Sequence, residues 1–307
     1  MTVALMASPQ AAEVKLRAVS FQPEKVVFAK YFYRWVRETN KRCDGKVEIS
    51  VIGPDAIRPI LQWSALKSGS VDMYFGPANF YRGVIPKADV LNLAHNDPAE
   101  QRRNGVWAVL NTLHNEQMNA WYLTTLIAGI KFFVYTTKPA NGGRFEGLRL
   151  RSVPLYDGFM RSLGAYTRHL AATDIGDALE RGEIDGYGWP LWGVDTFGWD
   201  KFTKYRYGPG FLNTASPVLV NLDKWKSLAD DQRRCLSDMA EWVENVWPKW
   251  RAAEDRVQLA ILRKAGIRYV DLGPEFASKA EGIYWGMLRT AEPAYVQRMK
   301  PLLGSSN

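Results

Sequence analysis

Between Val14 and Phe75 the apolar pattern switches period four times. Residues 14–20 alternate with period two. Val27, Phe28, Tyr31, Phe32, Trp35 and Val36 then fall on one face of a helix over 26–40. Asp44-Gly45 reads as a turn, 46–52 as a strand, 57–68 as a helix stopped by Gly69, and 71–75 as a strand opening into Gly76-Pro77. A strand–helix–strand–helix–strand order admits few folds, and the expectation is a doubly wound α/β half. In such sheets ligands sit at the carboxyl ends of strands, which makes residues 20–24 and 74–81 candidate site walls.

A second α/β unit follows. Residues 98–120 read as one helix, 121–135 as strand runs broken by Gly129, and 148–153 as a strand ending at Pro154. Residues 155–163 and 173–181 read as helices, the latter capped by Thr173 or Asp174. Residues 184–187 and 217–221 read as strands, 223–263 as a long helix, 266–272 as a strand and 274–289 as a last amphipathic helix. At 307 residues the chain fits two domains.

Several function classes find no support. There is no GxSxG, Walker A loop, GxGxxG or HExxH. The three histidines, His95, His114 and His169, are not paired at ligand spacing, so no metal and no cofactor are expected. No spacing singles out a carboxylate pair among the 32 acids. The net charge of +8 meets one criterion for an anionic polymer, but the basic residues are scattered singly among acids, as on solvated helix faces, so no nucleic acid is expected. No run of about 18 apolar residues exists to span a membrane. Cys43 and Cys235 make no framework; the spacing leaves open whether the two pair. Residues 1–12, short, apolar and uncharged, read either as the end of a secretory leader or as a native irregular start.

Two segments carry the strongest signals. Arg149 and Arg151 alternate with Leu148 and Leu150, so both point to one face, and Arg151 lies nearer the strand end. A guanidinium there either grips a ligand carboxylate through two parallel hydrogen bonds or pairs with a neighbouring acid. Gly182 and Gly186 bracket a short strand that places Tyr187, Trp189 and Trp192 around a Gly/Pro turn, either as an apolar pocket floor or as interdomain core.

The ordered motifs resemble the solute-binding proteins of TRAP (tripartite ATP-independent periplasmic) transporters, the DctP family. They are Asp44-Gly45-Lys46-Val47, Gly69-Ser70-Val71-Asp72-Met73 and Asn79-Phe80-Tyr81 with Gly83 and Pro86. Lys138-Pro139, Glu146 through Pro154, Leu163-Gly164-Ala165 and Ala178 through Gly186 follow, then Val218 to Asn221 with Trp225. The resemblance implies an α/β, two-domain periplasmic-binding-protein-like fold: mixed five-stranded sheets flanked by helices, hinge strands and a long spanning helix. The implied division is 13–133 plus about 217–256 in domain I, and about 134–216 plus 257–307 in domain II.

It further implies a periplasmic receptor, not an enzyme, that closes on a small organic acid and delivers it transiently to membrane permease subunits. Arg151 is the implied carboxylate ligand, and Lys131, 20 residues earlier, a second basic position. Ser20, Phe21 and Gln22 match the first loop. Phe75, Asn79, Tyr187, Trp189 and Asn221 complete the candidate ligand-binding set. Where α-keto acid binders of the family carry Glu-Trp beside a metal, this chain has Gly188-Trp189, so no metal is expected. The implied ligand is a monocarboxylate with an apolar, aromatic or branched body near Trp189 and Tyr187. The rival readings are a two-domain α/β enzyme using the same cleft, which would need a base or nucleophile beside Arg151, and a sensor-associated receptor.

Overall fold

The computed structural model describes residues 13–304, so the reading of 1–12 lies outside the described residues. The first unit is built on β1 (Val14–Ser20), α1 (Val27–Arg42), β2 (Val47–Ile52), α2 (Gln62–Lys67) and β3 (Met73–Phe75). Next come α3 (Pro98–Arg103), α4 (Val106–Met118) and β4 (Ala120–Thr125). The single helix expected over 98–120 is two, because Gly105 adopts φ 93°, a left-handed conformation that ends one helix and starts another. The helix expected over 57–68 is shorter, and Pro59 opens it with a single 3-10 turn.

The second unit carries β5 (Phe132–Thr136), β6 (Arg149–Ser152), α5 (Asp157–Ser162), β7 (Tyr166–His169), α6 (Ile175–Glu180), β8 (Gly186–Pro190) and β9 (Tyr205–Gly208). The chain then returns through β10 (Pro217–Asn221), α7 (Leu222–Ser227), α8 (Asp230–Lys264), β11 (Arg268–Asp271), α9 (Pro274–Ala291) and α10 (Pro293–Leu302).

Two mixed sheets result. The first has order β2-β1-β3-β10-β4, with β10 antiparallel to both neighbours. Every residue of β10, Pro-Val-Leu-Val-Asn, is buried, as a near-continuous apolar run in a central strand requires. The second has order β11-β9-β5-β8-β6-β7, six strands where five were expected. The extra strands escape a periodicity reading for physical reasons: β7 is a largely exposed edge, and β9 buries Arg206 where a core apolar residue is usual. Two packed clusters cover the faces of both sheets. One holds Phe32, Trp35 and Phe75 with Tyr135, Tyr187 and Trp192; the other holds Tyr74, Leu110 and Tyr122 with Leu150, Phe159 and Tyr207.

Three segments pass between the sheets. Residues 126–131 and 209–216 run alongside one another, joined by Leu126 N–H to Ser216 O, Gly129 N–H to Thr214 O and Thr214 N–H to Ile130 O. The third is α8. Near its start a disulfide from Cys235 to Cys43 anchors it to the end of α1; further along, Asp255 accepts from the Trp192 indole at 2.6 Å and Gln258 from Gly193 N–H at 3.0 Å. The expected division puts all of 257–307 with the second unit; in the structure the C-terminal helices contact both units. α9 starts against the second, with Phe276 edge-on to Phe159, but Tyr284 donates to Asp89 at 3.0 Å, and in α10 Tyr295 donates to Lys87 O at 3.1 Å. Those partners belong to the first unit.

Candidate functional site

Arg151 ends β6, in register with Tyr187 of β8. Only 5% of the residue is exposed. Its Nε donates to Leu170 O at 3.0 Å, and its Nη1 to the Tyr156 hydroxyl at 2.7 Å and, weakly, to Gly188 O at 3.4 Å. The guanidinium carbon sits 5.7 Å from the Trp189 ring centroid. Among the described residues no carboxylate pairs with it, and Nη2 has no hydrogen-bond partner.

Arg149 resolves the choice left open by the sequence. It takes the neighbouring acid, placing Nε and Nη2 on Asp185 at 2.9 and 3.1 Å, and Lys138 joins the same carboxylate at 2.8 Å. Burial alone would raise the Asp185 carboxyl, but the hydrogen bonds from Arg149 and Lys138 hold it well below the usual range. The paired strand arginine is therefore Arg149, while Arg151 is a buried cation surrounded by neutral acceptors.

Trp189 is half-buried. Its indole N–H donates to Trp192 O at 3.0 Å, and its ring stands edge-on to Phe28 of α1 at 6.2 Å and to Trp199 at 4.8 Å. Phe28, counted in the sequence only as part of a helical apolar stripe, is thus the first-unit ring that touches a site residue of the second unit. Tyr156 was also missed: it lies past the Pro154 turn in a stretch that reads as ordinary helix, and no spacing signals its phenol.

Three expected site residues have packing or capping roles in the structure. Tyr187 is fully buried, stacked on Tyr135 at 5.2 Å, and its hydroxyl is bonded to Thr203 Oγ1 at 2.7 Å. Phe75 is fully buried and stacked on Phe32 at 4.4 Å. Asn221 lies at the opposite end of its sheet, beside the start of β3. There it caps α7, its Oδ1 accepting from Lys224 N–H at 3.0 Å while Nδ2 donates to Leu66 O at 2.9 Å. All three have their interactions filled by packing, a neighbouring side chain or backbone.

The rest of the first-unit set divides. Ser20 is fully buried and its hydroxyl donates to Gln22 O at 2.7 Å; Phe21 is buried edge-on against Phe75 and Phe80. Gln22 and Asn79 are partly exposed, and neither side-chain amide has a partner among the described residues. Gln62 holds this wall from behind, donating to Ser20 O at 3.0 Å. Lys131 stands where the chain passes between the sheets, bridged to Asn213 through the backbone. Burial lowers its ammonium pKa, against the raising influence of Glu281, and no hydrogen bond or ion pair reaches it among the described residues. It is not among the groups that touch Arg151. No cluster of three His, Cys, Asp or Glu side chains suited to a metal occurs among the described residues.

Residues 19–282 match the family described as DctP, bacterial extracellular solute-binding protein, family 7. The chain belongs to that family. It is an extracytoplasmic solute receptor of the TRAP type, whose work is capture rather than catalysis. Among the described residues no helix is long and apolar enough to cross a membrane. Solved TRAP receptors share the fold. An apo, open TRAP periplasmic solute-binding protein from Marinobacter aquaeolei VT8 superposes with a TM-score of 0.82 at 16% identity, over 95% of this chain and 100% of that one. An extracytoplasmic solute receptor of Bordetella pertussis that binds pyroglutamic acid gives 0.80 at 17% identity, over 94% and 99%. A marine metagenome TRAP protein specific for aromatic acids, in complex with metahydroxyphenylacetate, gives 0.79 at 17% identity, over 94% and 98%.

Proposed function

We propose that this receptor captures a small monocarboxylate with an apolar or aromatic body in the cleft between its two sheet-centred units and passes it to a TRAP permease. The supporting observation is Arg151: a guanidinium 5% exposed, held by two carbonyls and a phenol, with no acid paired to it among the described residues. A buried charge without a counter-charge is costly, and a ligand carboxylate removes that cost. Nε and Nη1 are already engaged, so Nη2 is the nitrogen offered to the ligand, rather than a free two-nitrogen fork. Trp189, with its ring beside the guanidinium and Phe28 edge-on to it, gives the ligand body an apolar wall.

On this reading the two sheet-centred units are domains, 126–131 and 209–216 are the hinge, and Gln22 and Asn79 meet the ligand from the first domain. A ligand that contacts both domains favours the closed form by its differential contacts. Metahydroxyphenylacetate, held by one relative, is an aromatic monocarboxylate of the class proposed; pyroglutamic acid and D-glucuronate, held by others, have polar bodies, so both belong in the test. Another relative holds sn-glycerol-3-phosphate, so phosphate esters belong in the test.

The test is thermal unfolding against a panel of aromatic, branched, keto, sugar and phosphorylated acids, for the wild type and Arg151→Ala. Ligand at 100 times Kd stabilises the native state by about 2.7 kcal/mol. A shift with apolar monocarboxylates, lost in the variant, supports the reading. Shifts confined to sugar acids, dicarboxylates or phosphate esters would remove the ligand class. Shifts that survive the substitution would remove the role of Arg151.

A further inference from the structure

Tyr156 lies outside the strands, yet its hydroxyl occupies the back of the Arg151 guanidinium. The oxygen accepts from Nη1 at 2.7 Å and donates to Gly188 O at 2.8 Å. It therefore ties β6 to β8 through one proton and one lone pair. Burial raises the phenol, against the opposing influence of Arg151, so it stays protonated and the direction of both bonds is fixed. The ring reaches this place only because position 188 has no side chain. A Cβ on Gly188 would sit 2.7 Å from Tyr156 Cε2, 3.0 Å from its Cζ and 2.7 Å from Met160 Cε. Gly188 φ is not in the left-handed region, so backbone conformation does not demand glycine there. The demand is for space.

We propose that Tyr156 is a positioning residue for carboxylate capture, orienting the Arg151 guanidinium with a neutral oxygen, and that Gly188 is the clearance that admits it; this rests on Arg151 being the carboxylate ligand. Neutrality matters as much as reach. A carboxylate at the phenol's position would pair with Nη1 and cancel the charge that draws the ligand. A phenol holds the same nitrogen and leaves the charge unspent. With Nε on Leu170 O and Nη1 on Tyr156, the plane of the guanidinium is set by contacts on two sides, and Nη2 is left without a hydrogen-bond partner among the described residues. Without the hydroxyl, Nη1 keeps only the long contact to Gly188 O, and the plane is free to turn.

The test compares acids with their uncharged amides. Phenylacetate, pyroglutamate and D-glucuronate, each with its primary amide, are titrated calorimetrically into the wild type, Tyr156→Phe and Arg151→Ala. Removing one hydrogen bond to a charged group is expected to weaken acid binding about tenfold in Tyr156→Phe while the amide is unaffected, so the acid-to-amide ratio falls. Damage to packing alone would weaken acid and amide together. Gly188→Ala, which puts a methyl in the ring's place, should lower the same ratio. If Tyr156→Phe keeps the wild-type ratio while Arg151→Ala abolishes it, the positioning role is overturned and carboxylate capture stands. If Arg151→Ala also keeps the ratio, or the wild type binds none of the acids, capture by Arg151 fails and this inference with it.

Discussion

Arg149 and Arg151, two residues apart on one strand, have opposite surroundings. Arg149 is about half exposed and shares Asp185 with Lys138, whereas Arg151 is buried and its hydrogen bonds among the described residues go to a phenol and two carbonyls. Two like residues on one face thus divide into a surface ion pair and a buried cation with no acid partner among the described residues. The division follows from where each lies along β6: Arg149 is level with the chain entering β8, where Asp185 stands, and Arg151 is level with Tyr187 inside it.

The Asp185 cluster is one source of acid-dependent stability, beside Asp157, Glu183 and Glu254, whose carboxyls are also held low by hydrogen-bonding partners. The folded-state pKa of Asp185 is depressed, so its contribution is present above the ordinary carboxylate value of about 3.9 and is lost as the pH falls through the lower folded value. Asp185→Asn should therefore lower the unfolding midpoint at neutral pH and flatten its decline in acid. An unchanged acid slope in denaturant melts would remove this role.

The disulfide between Cys43 and Cys235 closes a span of 192 residues. Loop-closure entropy puts its contribution at about 5 kcal/mol as an upper figure, with smaller values usual in practice. The double Cys→Ser variant should unfold at markedly lower denaturant with a steeper slope, because the unfolded chain without the cross-link exposes more surface. Equal midpoints for oxidised and reduced protein would show that α1 and α8 hold together without it.

Tyr187 and Asn221 separate packing from binding. Tyr187→Phe loses the bond to Thr203, and Asn221→Ala loses a helix cap, each destabilising by about 1 kcal/mol. Neither should change ligand affinity once stability is accounted for. A tenfold loss of affinity in either would return that residue to the site.

Much of this was legible in the sequence. The period switches between Val14 and Phe75 give the first sheet, and the continuous run at 217–221 marks its central strand. Arg151 stood out in the sequence because it lies at a strand end before Pro154, where open sheets bind, and the structure shows it buried away from acids. The remainder was not, for identifiable reasons. Alternation says that Tyr187 and Trp189 share a face but not that Tyr135 covers one and leaves the other half-buried. Asn221 ends a strand, and a residue at a strand's end is equally placed to cap the next helix. The Tyr156–Gly188 contact joins residues 32 apart through space alone, and spacing carries no trace of it.

The central claim is that a ligand carboxylate completes the charge of Arg151. The most direct measurement is a crystal structure with the acid that gives the largest thermal shift. The account predicts a carboxylate oxygen within about 3 Å of Arg151 Nη2, with the ligand body beside Trp189. A carboxylate held instead by Lys131, or by any other group with Arg151 Nη2 left unbonded, would contradict it.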